Sequence, residues 1–378
     1  MSGMTTKLIH SGYNPSDENG AVIPPLHLTT TFEFGNKEGY EYSRSGNPTR
    51  QILEETLAEL DGAKYALTYS SGSAALANIV TLLKKDEAVL FSSDAYGGTY
   101  RYITNVASRT GIKHVIVDFT DLDSVQKAVE EENIKIIWIE TPTNPLLKVA
   151  NIQKLADTAH ANNAILVVDN TFLTPVAQRP IEHGADIVVY STTKFINGHS
   201  DSVGGSIALN SPELYEELKF LQNAIGAILS PFDSWLTLRG LRTLELRIKQ
   251  HNITAQKIAE LLNNHSKVKQ VYYPGLFDGE QGKIVAKQQL LPGAIISIEL
   301  ADDANPQKFF SSLQYFPLAE SLGGVESLID HPASMTHASI PPEERAKIGL
   351  SDGLLRISVG IENTDDLVND IKQALDNL

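Results

Sequence analysis

The chain has 378 residues, of which 42% are hydrophobic and 20% charged, with a formal net charge of −15 at pH 7 and no cysteine. That length suggests two domains rather than one core. The acidic balance argues against nucleic acid or an anionic membrane as a partner, and the lack of cysteine excludes disulfides, thiolate metal sites and a catalytic thiol.

The amino terminus, MSGMTTKLIHSG, lacks the apolar core of a signal peptide, and no apolar run reaches membrane-spanning length; a soluble, cytoplasmic protein is expected. Up to residue 40 there is little periodicity, with Asn14-Pro15, Gly20 and Pro24-Pro25 as breakers. Such a segment is either a disordered tail or an arm that orders on another surface. The string EYSRSGNPTR, Glu41 to Arg50, ends it, and an amphipathic helix follows over Gln51–Leu60, with Leu53, Leu57 and Leu60 on one face.

Next comes a strand, Tyr65–Tyr69, then Ser70-Ser71-Gly72-Ser73 and an Ala-rich helix. Strand, Ser/Gly turn and helix form the geometry of an anion site, because free N–H groups and the helix dipole both favour a phosphate. No G-x-G-x-x-G is present, so a nicotinamide-binding unit is not supported. Ala88–Phe91 reads as a buried strand leading to Tyr96-Gly97-Gly98-Thr99. Strands at His114–Val117, Ile136–Ile139 and Ile165–Val168 alternate with helices whose stripes are Leu122, Val125, Val129 and Ile152, Leu155, Ala156, Ala159, at the spacing of a mostly parallel sheet. Tyr96, Glu140, Asn144 and Asp169 all fall at strand carboxyl ends, where sites in open α/β sheets gather. Asp169, ending an apolar strand, calls for a cation to pair with it.

Ile187–Tyr190 is the next strand, and it breaks into Ser191, Thr192, Thr193 and Lys194 before Asn197-Gly198-His199-Ser200-Asp201 and Gly204-Gly205. A lysine just past a buried strand, among hydroxyls and glycines, is placed to be desolvated and to act as a neutral amine near pH 7. Beyond Leu209 a helical stretch is expected from Ser234 to about Leu262, then strands at Ala294–Leu300 and Leu355–Val359. A last helix capped by Asn363 or Thr364 buries Leu367, Ile371 and Leu375. Arg356 lies on a strand otherwise made of Leu, Ile and Val, and so needs a carboxylate.

The string STTKFINGHSD resembles the cofactor-lysine signature of the Cys/Met-metabolism family of pyridoxal phosphate (PLP) enzymes. EYSRSGNPTR, the Y-G-G-T at Tyr96, SWLTLRGLRTLELR from Ser234, the S-L-G-G at Ser321 and MTHASIPPEER from Met335 resemble the same family, so the likeness covers nearly the whole chain. It implies an α/β fold of the aspartate-aminotransferase-like kind (fold type I): an arm over residues 1–45, a large PLP-binding domain over 46–238 with a mostly parallel seven-stranded sheet, and a smaller α/β domain over 239–378. The implied assembly is a homotetramer of two active dimers, with a small amino acid as substrate and no metal.

The resemblance also assigns residues. Lys194 would carry PLP and act in catalysis, Tyr96 would stack on the pyridine ring and assist, and Asp169 would pair with the pyridine nitrogen. Gly72 and Ser73 would hold the phosphate, with Tyr42 and Arg44 reaching into the neighbouring subunit to hold its phosphate, and Ser191 and Thr193 would also bind the cofactor; Ser73 stands where the family has a larger apolar residue. Glu41, Arg101, Asn144, Glu320, Ser321 and Arg356 would bind substrate, Arg356 gripping the α-carboxylate. Gly98 stands where methionine γ-lyases usually carry Cys, which argues against that activity. Glu320 matches a position that is acidic in γ-lyases and aromatic in β-lyases. The leading expectation is cystathionine cleavage by γ-elimination. Cystathionine γ-synthase is the alternative, with β-lyase side activity, and a non-catalytic scaffold is disfavoured.

Overall fold

The structure is a computed structural model that describes residues 3–17, 20–335, 343, 345 and 349–378. Most of the MTHASIPPEER stretch therefore lies outside the described residues. The larger sheet holds β1 (Tyr65–Tyr69), β2 (Ala88–Ser92), β3 (Lys113–Val117), β4 (Ile134–Glu140), β5 (Ile165–Asp169), β6 (Ile187–Tyr190) and β7 (Gly205–Leu209). Its spatial order is β1-β7-β6-β5-β4-β2-β3. Pairing is parallel from β3 through β6, while β7 runs antiparallel to both β6 and β1, so β7 alone is reversed.

The central strands are mostly apolar because helices cover both faces, whereas the edge strand β3 carries exposed Lys113 and His114. Leu90, Ile137, Ile139, Leu166, Val168 and Val188 enter one core, whereas Val89, Phe91, Trp138, Val167 and Val189 enter the other. Alternation along each strand divides the residues between the two faces. Because β1 to β6 run in one direction, they all deliver their carboxyl ends to one edge of the sheet.

A second sheet is antiparallel throughout, in the order β10-β11-β9-β8, from β8 (Val268–Tyr272), β9 (Ile295–Leu300), β10 (Leu328–Asp330) and β11 (Leu354–Ser358). The helix Thr364–Asp376 closes the chain, with the Asn363 side chain accepting from the N–H groups of Asp365 and Asp366.

The expected continuous helix from Ser234 to Leu262 is instead two helices, Pro231–Leu241 and Leu244–Asn263, separated at Arg242-Thr243. The Gly240 carbonyl, at the end of the first, accepts from Thr243 N–H and from Arg247 Nη2. A Cβ on Gly240 would lie 2.2 Å from the Asn197 carbonyl oxygen, so the helix end packs directly on the turn that follows Lys194. The arm carries one early helix, Met4–His10, which buries Leu8. Among the described residues, no helix is long and apolar enough to cross a membrane.

Candidate active site

A cavity of about 350 Å³ opens at the carboxyl edge of the larger sheet. Ser71, Gly72, Ser73, Tyr96, Glu140, Asn144, Asp169, Ser191, Thr193, Lys194, Glu320, Ser321 and Arg356 all line it. Residues scattered over nearly 290 positions therefore meet at one place. Its volume suits a small cofactor with a small substrate.

The helix that follows β1 opens on the cavity. Ser71 caps the helix Gly72–Val80 by accepting from Ala74 N–H at 3.0 Å, so Gly72 and Ser73 open the helix against the cavity. The first-turn N–H groups of a helix have no partner within it. Glycine at 72 lets the helix start pack closely on the turn: a Cβ there would meet the Ser191 Cβ at 3.0 Å, tighter than ordinary contact. Ser191 N–H donates to Thr171 Oγ1 at 2.8 Å, and Thr193 Oγ1 accepts from Gly204 N–H at 3.0 Å, which fixes the hydroxyl-rich turn.

Asp169 and Glu140 end the adjacent strands β5 and β4, in register with each other. Burial raises the Asp169 carboxyl above its usual range, and the Thr171 hydroxyl and N–H, the latter at 3.0 Å, partly offset that. Burial, and then the neighbouring charge of Asp169, push Glu140 well above the usual range. Glu140 accepts from Tyr96 N–H at 3.0 and 2.9 Å on its two oxygens and from Thr99 Oγ1 at 3.1 Å. It therefore anchors the backbone that presents the Tyr96 ring. A Cβ on Gly98 would sit 2.4 Å from that ring, so any side chain there would displace it.

Lys194 Nζ donates to Ser321 Oγ at 2.9 Å. Burial, reinforced by the Arg356 charge, lowers its pKa from 10.5 to about 8, against the opposing pull of Glu320 and Asp330. Ser321 has φ +92°, a left-handed conformation that costs a serine energy and that its surroundings must hold. Gly323 supplies part of that support: its N–H donates to Ser358 Oγ, and a Cβ would lie 2.7 Å from Phe195 N.

Arg356 is 2% exposed. Its Nη1 donates to Asn144 Oδ1 at 3.0 Å and its Nη2 to the Ser321 carbonyl at 3.0 Å. The carboxylate its environment demands is present within the chain: Asp330, 1% exposed, forms an ion pair with Nη2. The sequence places Glu140 at a strand's carboxyl end without giving it a role, and gives no sign of Asp330 or Arg247. Arg247 is 3% exposed, has no acidic partner among the described residues, and donates to the carbonyls of Phe195, Ile196 and Gly240.

Four of the sequence-predicted residues lie elsewhere. Tyr42 and Arg44 are exposed on the arm, where Arg44 donates to the Asn223 carbonyl at 2.6 Å. Glu41 lines a separate recess of about 650 Å³ under the arm, among Glu38, Arg50, Glu54 and Glu55, which no carboxyl end of the parallel strands reaches. Arg101 is exposed on the helix Gly97–Asn105 and does not line the cavity. Five residues of helix carry it about 140° round from Tyr96.

The donor set fits PLP. A helix N-terminus with flanking hydroxyls takes a phosphate, a buried carboxylate takes a protonated pyridine nitrogen, a half-exposed tyrosine ring takes a planar heterocycle, and a lysine of lowered pKa takes the aldehyde. The fold is that of the fold type I PLP enzymes. The chain belongs to the Cys/Met metabolism PLP-dependent enzyme family, whose model matches residues 5–376. It is 50% identical over 376 residues to cystathionine gamma-lyase of Dictyostelium discoideum, covering 98% of this chain and 97% of that one. It is 48% identical over 379 residues to cystathionine beta-lyase of Lactococcus lactis subsp. cremoris (strain MG1363), covering 100% of both. Cystathionine gamma synthase from Xanthomonas oryzae pv. oryzae in complex with cystathionine superposes with a TM-score of 0.96 at 44% identity, covering 100% of this chain and 98% of that one.

Proposed function

We propose that the protein is a trans-sulfuration carbon–sulfur lyase that cleaves cystathionine by γ-elimination, with water, to cysteine, 2-oxobutanoate and ammonia. The observation that carries the γ register is Glu320. It is exposed on the wall of the cavity that Lys194 and Arg356 also line, placed to accept a hydrogen bond from the distal ammonium of cystathionine. When bound, PLP supplies the electron sink that lets protons leave Cα and then Cβ of an amino acid.

The remaining work falls to the chain. Gly72, Ser73, Ser191 and Thr193 would hold the phosphate of PLP, Asp169 would pair with its pyridine nitrogen and Tyr96 would stack on its ring; all of them line the cavity. Arg356, with Asn144 and Ser321 beside it, binds the α-carboxylate and turns Cα toward Lys194. With a pKa near 8, the Lys194 amine is neutral in an appreciable fraction at pH 7, so it can take a proton at Cα and return it elsewhere. The Ser321 hydroxyl keeps that nitrogen in place. Tyr96 serves as a second proton carrier.

Tyr42, Arg44 and Glu41 act in a neighbouring copy's cavity, within a homotetramer of two active dimers; their exposure on an arm outside their own cavity supports this. The two separate sheets support an arm over 1–45, a large domain over 46–238 and a small domain over 239–378.

A second reading is β-elimination to homocysteine and pyruvate, favoured by the full-length 48% identity to the Lactococcus beta-lyase. γ-Replacement on O-acylhomoserine is favoured by the Xanthomonas synthase likeness. The keto acid formed from cystathionine distinguishes elimination registers. The expected product is mainly 2-oxobutanoate, with a larger pyruvate share in Glu320→Tyr and Glu320→Ala. Mainly pyruvate from the unaltered protein would overturn the γ register.

A further inference from the structure

Arg356 and Asp330 face each other across the antiparallel ladder of β11 and β10, directly paired in register. Residues opposite each other on neighbouring strands project from the same face. Arg356 lines the cavity, whereas Asp330 does not, so the carboxylate sits behind the guanidinium as viewed from the substrate. Neither Asp330 oxygen accepts a hydrogen bond from another group among the described residues. The pair with Arg356 is what offsets the cost of burying that carboxylate. The guanidinium, by contrast, keeps neutral acceptors on two nitrogens, Asn144 Oδ1 and the Ser321 carbonyl.

We propose that Asp330 is an internal counter-ion for Arg356, a positioning residue that weakens the arginine's grip on the substrate α-carboxylate so that the carboxylate product is released. The proposal rests on Arg356 binding the α-carboxylate, as read above. The Asn144 and Ser321 contacts already orient the guanidinium, so the charge of Asp330 is surplus to orientation. Its effect is electrostatic: a buried arginine without it would present a full positive charge to an incoming carboxylate, at short range and low dielectric. Burial raises the Asp330 carboxyl to about 6, against the pull of Arg356, so it is still largely ionised at neutral pH. Lys194, Glu320 and His331 are the other charged or titratable groups that interact with it, and Asp330 in turn favours a positive charge on Lys194.

Asp330→Asn tests this, because the amide keeps an acceptor for Nη2 and removes only the charge. Butanoate, a carboxylate without an amine, is titrated calorimetrically into the PLP-loaded protein at pH 8. The expected result is binding about tenfold tighter in Asp330→Asn than in the unaltered protein, with a lower KM and, where product release limits turnover, a lower kcat. The pH midpoint of the bound cofactor's absorbance should also move to lower pH, since a negative charge near the Lys194 nitrogen is gone. A purely structural role predicts weaker butanoate binding and no such shift, and either of those results overturns the proposal.

Arg356→Ala separates this inference from the reading beneath it. If Arg356→Ala binds butanoate as well as the unaltered protein does, the carboxylate assignment fails and the counter-ion role falls with it. If Arg356→Ala abolishes binding but Asp330→Asn leaves it unchanged or weaker, only the counter-ion role fails. Should Asp330→Asn not fold, Asp330→Glu keeps the charge. It must then hold butanoate affinity within about twofold of the unaltered value, and a larger change overturns the proposal.

Discussion

Replacing Lys194 by methionine should stabilise the cofactor-free protein at neutral pH. Burial, and secondarily the Arg356 charge, bring the Lys194 amine from 10.5 down to about 8, so the folded state disfavours its ammonium form. At 1.36 kcal/mol per pKa unit that is a penalty of about 3 kcal/mol, present in full below pH 8 where both states are protonated. Between pH 8 and 10.5 the unfolded chain binds the extra proton, so stability rises with pH; above 10.5 both states are neutral and the penalty is gone. Methionine removes the charge and fills similar space. It loses the bond to Ser321 Oγ, about 1 kcal/mol, leaving a net gain of about 2 kcal/mol at pH 7. Urea unfolding of both apo proteins, at one protein concentration, measures it. The Lys194→Met advantage should be near 2 kcal/mol at pH 7 and small or reversed at pH 10.5. Lower stability of Lys194→Met at pH 7, or an advantage that does not change with pH, would refute the argument that Lys194 is a strained, desolvated amine.

Asp169→Asn should retain the fold and lose the counter-charge of the pyridine nitrogen, lowering turnover by about 100-fold or more and speeding PLP loss on dialysis. An unchanged turnover would remove Asp169 from the site. Arg247→Met leaves the Phe195 and Ile196 carbonyls without their side-chain donor, Gly240 keeping Thr243 N–H, while relieving one buried charge, and should cost about 2 kcal/mol in urea unfolding; a cost under about 0.5 kcal/mol would show that the turn after Lys194 does not depend on it. Mixing Arg44→Ala with Lys194→Ala chains should recover activity through hybrid dimers, one site of which receives both intact residues. No recovery, with hybrids confirmed by mass spectrometry, would mean that Arg44 serves its own chain.

The parallel strands were legible because each is a short β-branched run ending in hydroxyls or acids, as in Ile187–Tyr190 before Ser191. β10 was not legible: Leu328–Asp330 is too short to carry a period, and it forms only because β11 pairs with it. β7 was missed for a related reason, since it opens on the second residue of the Gly204-Gly205 pair and its identity comes from β6 and β1 on either side. Lys194, Asp169 and the Gly72 turn could be located from strand ends alone. The partners of those residues could not. The pairing of Asp330 with Arg356 depends on strand register, and the hold of Glu140 on Tyr96 depends on the order of strands in the sheet. Arg247 carries no signal in the sequence beyond its place in a helical stretch. Only the break at Arg242-Thr243 turns it toward the carbonyls after Lys194.

The most direct test of the site itself is chemical. The PLP-loaded protein is reduced with borohydride, digested, and the pyridoxyl label mapped by mass spectrometry. The label is expected on Lys194, in the peptide that carries Ser191, Thr192 and Thr193, and absent from Lys194→Ala. A label on any other lysine, or an undiminished label in Lys194→Ala, would contradict the account.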